Sequence, residues 1–500
     1  MKRILFSIAL LSSVYLSAQT VIVEEKYEKN NEPTGFRYLP NSKKFVVFKG
    51  EKLYLGAVTP STIFYMTKSG YSFDENGSKS ILFENKKLAN CTFSVSENSF
   101  KALGGDKLSS TGMREYYLNN VYNSSISFDD IKKTNSCYFG LVNVSNQFMP
   151  NVGLSFDDVF FENLFYSSFS DFYDLGLTNQ KGKNNINFEK DEIYLEVFDL
   201  KSKQKNRVKL ETPKLDLLKG NSLIESTKKG VTFSCKLKAN DTFDMVTKSI
   251  SKERNENIIY KTTYDIQGKK IKDVTMKLNL KDNFFILSSC GAGYVDNFAW
   301  DVQAVNNYYE DSKNGDIYVY GIYNSEKSRI HKGFDAVGFY IFKFDKDGNK
   351  IWESINPIKD ENFEGLCCGL NFNLNLFEYN GKLLFTNSAD VFMEFSNYAV
   401  VEKSSGNVLK MNNVIYNRTT SYLRRRAFVN NSYDKVDIKN KAFSPVSFVA
   451  MDLSPAMNNY LKTIPSKGNA VYFETIFSDQ GIWLIETDNE EYYKVLLFKD

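Results

Sequence analysis

The densest group of side chains that could do chemistry lies in residues 154–174, where carboxylates alternate with aromatic rings. Carboxylates hydrogen-bond sugar hydroxyls or hold Ca²⁺, and aromatic faces stack on the apolar faces of sugars. Two carboxylates about 5–10 Å apart can also hydrolyse a glycosidic bond. We interpret this stretch as a ligand-binding site, and an ordinary packed insertion is the alternative. The candidate residues are Asp157, Asp158, Phe160, Glu162, Tyr166, Asp171, Tyr173 and Asp174.

A second candidate is the basic cluster Arg424, Arg425 and Arg426. Guanidinium groups bind carboxylate and phosphate with two parallel hydrogen bonds, so an acidic glycan or a lipid headgroup would fit. The alternative is a solvated strand edge, where charge deters aggregation. We predict an anion-binding role and keep the structural interpretation beside it.

Common catalytic and cofactor motifs are missing from the sequence. His331 is the single histidine, and no GxSxG, HExxH or P-loop pattern occurs. Asp345-Lys-Asp-Gly-Asn resembles the start of a calcium loop, but its twelfth position is Asn356, where a glutamate is needed. A turn is the better interpretation. We therefore assign no catalytic residue, no metal site and no cofactor.

Charge and the first residues limit the function class. There are 63 Lys and Arg against 60 Asp and Glu, a formal net charge of +3, which argues against a nucleic-acid-binding face. Residues 1–18 combine Lys2 and Arg3 with an apolar run and end on Ala18, as a secretory signal does. No later stretch approaches the roughly 20 apolar residues of a membrane helix. We predict export to the periplasm or the outside, with 19–500 as one domain.

Cysteines give no further constraint. Export permits disulfides, but six thiols allow 15 pairings, so the connectivity stays open. The spacing is not of a metal-binding type. The six are Cys91, Cys137, Cys235, Cys290, Cys367 and Cys368.

The elements that must position these residues are strands. The sequence has 41 Phe and 31 Tyr but only 9 Pro, a composition typical of pleated sheets. Within 313–352 two turn signals, Asn314-Gly315 and Asp347-Gly348, separate β-branched and aromatic runs. This pattern predicts two consecutive hairpins, and hence a four-stranded antiparallel unit. A further hairpin is predicted to turn near Gly50.

One turn motif recurs along the chain. The pattern aromatic-Asp-x-x-Gly-x-Lys begins at Phe73, Tyr264 and Phe344, with looser matches at Phe128 and Phe198. The mean spacing of about 68 residues suits a four-stranded unit with loops, and the chain has room for about seven. We predict an all-β, β-propeller-like ring of six to eight blades. The strand at 20–27 is predicted to complete the last blade, and residues about 150–180 to form an irregular insertion.

The run Gly-Phe-Tyr-Ile-Phe-Lys-Phe-Asp-Lys-Asp-Gly-Asn-Lys-Ile-Trp at 338–352 resembles hairpins of secreted bacterial β-propeller-like proteins, many of them uncharacterised. The resemblance covers about 40 residues; it implies a fold and carries over no site residue. The rival architecture is a series of β-sandwiches. That architecture predicts linkers rich in Pro, Gly and Ser, and the sequence shows none.

These observations favour an exported, non-enzymatic binding or interaction protein whose partner is an unknown protein or polysaccharide at the cell envelope. The alternative is a carbohydrate-active enzyme that uses paired Asp and Glu carboxylates. A third possibility is a structural component of an envelope complex.

Overall fold

The structure is a computed structural model of the 500-residue chain. The described residues are 19–28, 31–39, 43–54, 63–84, 88–89, 92–95, 100–103, 168–169, 173–182, 191–199, 205–211, 232–237, 242–251, 253–289, 302–304, 306–311, 313–325, 337–358, 373–388, 395–415, 419–421, 426–428, 441–443, 445–464, 471–488 and 492–499. The predicted signal, residues 1–18, lies outside them.

The described chain is mostly strand. The first strands are β1 (Gln19–Lys26), β2 (Glu32–Leu39), β3 (Lys44–Tyr54), β4 (Ile63–Phe73), β5 (Lys79–Phe83), β6 (Leu88–Ala89), β7 (Thr92–Val95) and β8 (Phe100–Leu103). Next come β9 (Ser168–Phe169), β10 (Tyr173–Asn179), β11 (Ile193–Asp199), β12 (Lys205–Lys209), β13 (Thr232–Leu237), β14 (Thr242–Ile250), β15 (Glu256–Asp265), β16 (Lys270–Asn279), β17 (Phe284–Phe285), β18 (Leu287–Ser289), β19 (Val302–Ala304) and β20 (Asn306–Glu310).

The remaining strands and two helices follow in chain order. They are β21 (Ile317–Asn324), β22 (Gly338–Phe344), β23 (Lys350–Pro357), β24 (Asn373–Tyr379), β25 (Lys382–Ser388), β26 (Phe395–Val401), β27 (Val408–Ile415), β28 (Thr419–Ser421), β29 (Arg426–Phe428), β30 (Lys441–Phe443), α1 (Pro445–Leu453), α2 (Pro455–Thr463), β31 (Val471–Ser478), β32 (Gly481–Asp488) and β33 (Tyr492–Phe498).

The strands form small sheets, numbered here in chain order. Sheet one has the order β2-β3-β4-β5, with β6 also on β4, and sheet two has the order β12-β11-β10-β9. Sheet three is β13-β14-β15-β16, sheet four is β17-β21-β22-β23 with β20 also on β21, and sheet five is β24-β25-β26-β27. Sheet six is larger, β1-β33-β32-β31-β30-β29-β28, and contains one parallel pair, β30 with β31.

This arrangement confirms the prediction of an all-β fold of the β-propeller type. The described residues form five small antiparallel sheets of four or five strands beside the larger sheet six, so the blade count differs slightly from the six to eight predicted. The two nine-residue helices were not predicted. No helix in the described ranges has the length and apolar character needed to cross a membrane.

The chain divides into two compact units. The first contains Met1–Val152, Asn375–Lys403 and Leu409–Asp500, and the second contains Gly153–Leu374 and Ser404–Val408. In the first unit, residues of sheets one and six share a buried cluster that includes Phe45, Trp483 and Val495. In the second unit, sheets three and four share another, which includes Ile259 and Phe342. These four sheets thus bury apolar residues against a neighbour instead of standing alone.

The prediction for the N-terminal strand is confirmed. β1 pairs antiparallel with β33 over its whole length, with Gln19 opposite Phe498 and Lys26 opposite Tyr492. A bulge between Val21 and Val23 shifts the register once. Chain ends that are almost the full sequence apart are therefore joined in one sheet.

The recurrent turn motif is also confirmed. Asp345 Oδ1 accepts hydrogen bonds from the backbone N–H groups of Asp347 and Asn349, each at 2.9 Å. Asp74 accepts the same two hydrogen bonds, from the N–H groups of Asn76 and Ser78, and Asp265 accepts the second of them, from Lys269. Asp caps the turn and a glycine in the left-handed region closes it, as turn chemistry requires.

The hairpin predicted near Gly50 is wrong. β3 continues through this residue as one eleven-residue strand, and the register against β4 shifts between Lys49 and Gly50. Gly50 is therefore part of a β-bulge. A glycine within a strand pattern is compatible with a hairpin turn or with a β-bulge, and the pairing with the neighbouring strand distinguishes the two.

Each recurrent turn packs on the outermost strand of another sheet. A Cβ at Gly77 would lie 2.7 Å from the carbonyl oxygen of Ile22 in β1, and one at Gly268 would lie 2.8 Å from Val208 Cγ1 in β12. A Cβ at Gly348 would lie 2.6 Å from Val274 Cγ1 in β16. Only glycine allows such an approach, so the motif fixes how neighbouring sheets meet.

Candidate functional site

Most of the predicted ligand-binding residues lie outside the part of the chain that the structure describes. Tyr173 and Asp174 are exceptions, because they begin β10, where they pair with Asp199 and Phe198. Arg426 begins β29 and pairs with Ser421. The residues outside are Asp157, Asp158, Phe160, Glu162, Tyr166, Asp171, Arg424 and Arg425. The two sites stay predictions.

Other residues singled out by the sequence are divided in the same way. Cys235 lies in β13 opposite Met245. His331 and the remaining cysteines (Cys91, Cys137, Cys290, Cys367 and Cys368) lie outside the described ranges. Within those ranges, no group of three or more His, Cys, Asp or Glu side chains is placed to hold a metal ion.

The structure reveals a charged group that sequence reasoning missed, the Lys261 cluster, made of Asp244, Lys261, Thr263, Tyr308 and Glu310. Asp244 lies on β14 directly opposite Thr263 of β15. Lys261 is two residues from Thr263 and so projects from the same face of sheet three. Glu310 and Tyr308 come from β20 of sheet four. Two sheets therefore supply the group.

Distances in the Lys261 cluster are those of ion pairs. Lys261 Nζ lies 3.2 Å from Asp244 Oδ2 and 3.0 Å from Glu310 Oε2. Thr263 Oγ1 donates a hydrogen bond to Asp244 Oδ1 at 2.6 Å. Only 6% of the Lys261 side chain and 3% of the Asp244 side chain are exposed. Burial raises the pKa of Tyr308, and the negative charges of Glu310 and Asp244 raise it further.

This geometry defines what the Lys261 cluster can do. Two carboxylates surround one ammonium group, so each buried charge has a partner of opposite sign. Lys261 and Asp244 are almost completely buried, whereas Glu310 is 15% exposed, so a ligand could meet only the Glu310 side of the cluster as it stands. The cluster joins the two sheets, and chemistry that uses both carboxylates requires that it open.

A second polar group, the Glu25 cluster, joins sheets six and one. Glu25 of β1 pairs with Lys49 and, at 3.1 Å, with Lys79. Tyr493 donates a hydrogen bond to Glu25 Oε2 at 2.7 Å. The Lys79 ammonium lies 3.9 Å from the centre of the Tyr71 ring, within cation–π distance. Side chains from three strands of sheet one, β3, β4 and β5, thus hold the N-terminal strand against that sheet.

The Glu25 cluster predicts a pH dependence. Burial alone would raise the pKa of Glu25, but hydrogen bonds from Lys49, Tyr493 and Lys79 outweigh it and lower the pKa from 4.5 to about 2. A lowered folded-state pKa contributes stability above pH 4.5 that is lost as the pH falls towards 2. After allowance for solvent screening, we expect Glu25→Gln to lower the free energy of unfolding at pH 7 by about 1–2 kcal/mol.

Urea unfolding at a series of pH values measures this effect. The difference between wild type and Glu25→Gln should shrink as the pH falls below 4.5. Asp282→Asn, at an exposed carboxylate, controls for the loss of one negative charge. A gap between wild type and variant that stays constant down to pH 2 would contradict the ion-pair explanation.

A third polar contact fastens the helices. The buried Glu486 of β32 accepts hydrogen bonds from the hydroxyls of Tyr460 in α2 and Tyr492 in β33. Burial raises the pKa of Tyr460, and the Glu486 charge adds to the effect. Tyr460 therefore stays a protonated donor, and Glu486 serves to position α2.

The exposed large hydrophobic residues share one location in the fold. All six of those in the described chain lie on the outermost strand of a sheet. Four of them stand three or four residues after the glycine of a turn that precedes the strand. The six are Val21, Ile81, Ile271, Ile351, Leu409 and Met411.

The chain is similar to known proteins only at the level of solved structures. No protein-family model and no curated protein matches the chain. A structure from a study of two prolyl endopeptidases matches at 9% identity with a TM-score of 0.33, and the match covers 94% of this chain. The chain spans 50% of that protein's length.

Two further structures match over about two thirds of the chain. The β-propeller domain of the trilobed protease from Pyrococcus furiosus has 10% identity and a TM-score of 0.24, and the match covers 65% of this chain and 80% of that domain. The GH43_1 enzyme from Xanthomonas citri complexed with xylose has 9% identity and a TM-score of 0.24, with 66% and 85% covered. At such TM-scores the strand pairing within this chain, not the likeness, defines the fold.

Proposed function

We propose that this chain is an exported, non-enzymatic binding protein on a β-propeller scaffold, with a protein or polysaccharide of the cell envelope as its partner. The signal-like composition of residues 1–18 supports export. The observation that carries the binding role is the recurrence of exposed isoleucines, Ile81, Ile271 and Ile351, on the outermost strands of three sheets.

Recurrence separates these residues from ordinary exposed hydrophobics. A single exposed isoleucine needs no explanation, but the same residue type follows the same turn motif in three sheets. A lysine stands one or two positions before each, and these lysines are ion-paired: Lys79 with Glu25, Lys270 with Asp273 and Lys350 with Glu353. The lysines are thus already satisfied, whereas the isoleucines are not. Burying each isoleucine against a partner would stabilise the complex by up to about 1.5–3 kcal/mol.

The polar clusters support the same conclusion. Lys261, Glu25 and Glu486 are held in contacts that fasten strands or sheets to one another. Their chemistry maintains the scaffold. Outer strands that repeatedly present an apolar side chain are suited to contact polysaccharides, whose sugar faces are apolar.

The test compares two variants that change charge equally. Ile81→Lys/Ile271→Lys should lower binding of residues 19–500 to its best-bound polysaccharide on an array at least about tenfold, because two apolar contacts are lost. Ser80→Lys/Thr275→Lys, at exposed polar positions of the same strands, should leave binding unchanged. Equal binding by the two variants would refute the role of the isoleucines.

The carbohydrate-active enzyme remains a second candidate because of one observation. Asp244 and Glu310 come from different sheets and approach the same ammonium group, and paired carboxylates are the means of glycoside hydrolysis. Release of reducing sugar by wild type that Glu310→Gln abolishes, with an unchanged urea midpoint, would favour this candidate. No release from any polysaccharide on the array would favour the binding protein.

A further inference from the structure

The strand β27 differs from the other outermost strands in how it is covered. β1, β12, β16 and β23 each contact the glycine of a recurrent or related turn: Gly77, Gly268, Gly348 and Gly406, respectively. None of the other glycines whose close contacts are described approaches β27 in this way. β5 likewise has no described contact with a turn glycine, but it carries a single exposed large hydrophobic residue, Ile81.

The topology of sheet six explains why β27 has no such cover. Sheets five and six share a buried cluster in the first unit, which includes Leu384 of β25 and Leu484 of β32. In sheets one, three, four and five a described turn links the outermost strand to its neighbour. In sheet six these two strands are β1 and β33, the first and last of the chain, so no turn exists there. Because β1 and β33 pair without a connecting turn, sheet six lacks the turn that would cover β27.

Alternate side chains of β27 contact α1 or are exposed to solvent. Asp452 at the end of α1 accepts a hydrogen bond from Asn412 Nδ2 at 2.9 Å and lies 3.2 Å from Lys410 Nζ. Leu409 and Met411, at the alternate positions, are 52% and 42% exposed. Among the side chains whose exposure is described, β27 is the one outermost strand with two exposed large hydrophobic residues.

We propose that two copies of this chain associate edge to edge along β27, with the two strands antiparallel about a two-fold axis. The sequence Val-Leu-Lys-Met-Asn-Asn-Val-Ile at 408–415 has no acidic residue, and its one lysine is paired with Asp452 within the same chain. Lys410 of one copy would lie opposite Lys410 of the other, but each is paired with Asp452 of its own copy, so the two strands meet as nearly neutral edges, and a charged foreign peptide would find no unpaired counter-charge. Antiparallel pairing brings Leu409 and Met411 of one copy beside those of the other, which buries all four.

Natural sheet proteins protect exposed edges with charge, proline or bulges. Over Val408–Met411, β27 has no proline, and its one charged residue, Lys410, is paired with Asp452. A second copy supplies the missing hydrogen bonds to its backbone edge as well as the apolar contact. Because a single strand pair is a small interface, we expect a micromolar dissociation constant and a dimer fraction that rises with concentration.

Sedimentation equilibrium of residues 19–500 over a range of concentrations tests the proposal. Wild type should form a dimer, and Leu409→Lys/Met411→Lys should weaken dimerisation at least about tenfold. Ile271→Lys/Ile351→Lys, on strands that contact a turn glycine, is the matched control and should dimerise like wild type. Leu409→Ser/Met411→Ser is a second variant, which adds no charge and should also weaken the dimer.

Hydrogen exchange locates the interface in the same samples. Amides of residues 408–412 should lose protection on dilution, while those of β16 keep it. A wild type that stays monomeric, a dimer unaffected by both β27 variants, or a monomer whose β27 pairs only with an added foreign peptide would overturn the proposal. The isoleucines tested for ligand binding lie on other strands, so the two proposals fail separately.

Discussion

Replacing Lys261 by methionine is expected to lower the free energy of unfolding by about 3–5 kcal/mol, because it leaves two carboxylates without their shared cation. Lys261 lies 3.2 Å from Asp244 and 3.0 Å from Glu310, and both lysine and aspartate are almost completely buried. Methionine fills a similar volume, so lost packing contributes little. The urea midpoint of residues 19–500 at pH 7 measures the change.

Two further variants identify the cause of the Lys261 effect. Lys272→Met removes the lysine of an exposed ion pair with Asp347 and should cost less than about 1 kcal/mol. The triple variant Asp244→Asn/Lys261→Met/Glu310→Gln removes all three charges and should recover part of the loss. If the triple variant is less stable than Lys261→Met alone, the loss of stability in Lys261→Met comes from altered packing and not from the two unpaired carboxylates.

The local features of this fold could be predicted from the sequence. The Asp-Lys-Asp-Gly-Asn turn at 345–349 depends on residues within five positions, and its geometry follows from the carboxylate and the glycine alone. Asn380 and Gly381 also turn as expected, both with positive φ. The strand at 20–27 could be assigned to the last sheet because a ring of sheets needs its ends joined.

Features set by distant partners could not be predicted. Lys261 alternates with Ile259 on a buried face, which is the one signal in the sequence that it is special. Glu310 is 49 residues away, and no pattern connects the two. Gly50 shows the same limit, since only the register of β4 distinguishes a bulge from a turn.

The two helices had a signal that sequence reasoning passed over. Ser454 accepts a hydrogen bond from the backbone N–H of Met457 at 3.0 Å, and Pro455 occupies the first helical position. Serine before proline is typical of a helix start. The pattern was outweighed by the strand-rich composition of the whole chain, which says nothing of a nineteen-residue segment.

Replacing Gly348 by alanine is expected to lower the free energy of unfolding by about 2–4 kcal/mol, the second large effect. Its φ of +87° lies in the left-handed region, which costs an alanine about 1–2 kcal/mol. The added Cβ would also lie 2.6 Å from Val274 Cγ1 and 2.8 Å from the carbonyl oxygen of Thr275. Because the second contact is with backbone, sheets three and four must move apart.

Gly381→Ala is the matched control, because it separates strain from contact. Gly381 has a φ of +71°, and an added Cβ there meets no atom within 4 Å. It should therefore show the conformational cost alone, about 1–2 kcal/mol. Urea midpoints of the two variants measure the difference, which is the energy of the close approach between turn and strand. Equal losses would mean that the turn glycines serve only their own hairpins, and the packing of one sheet's turn on the next sheet's outer strand would have no part in stability.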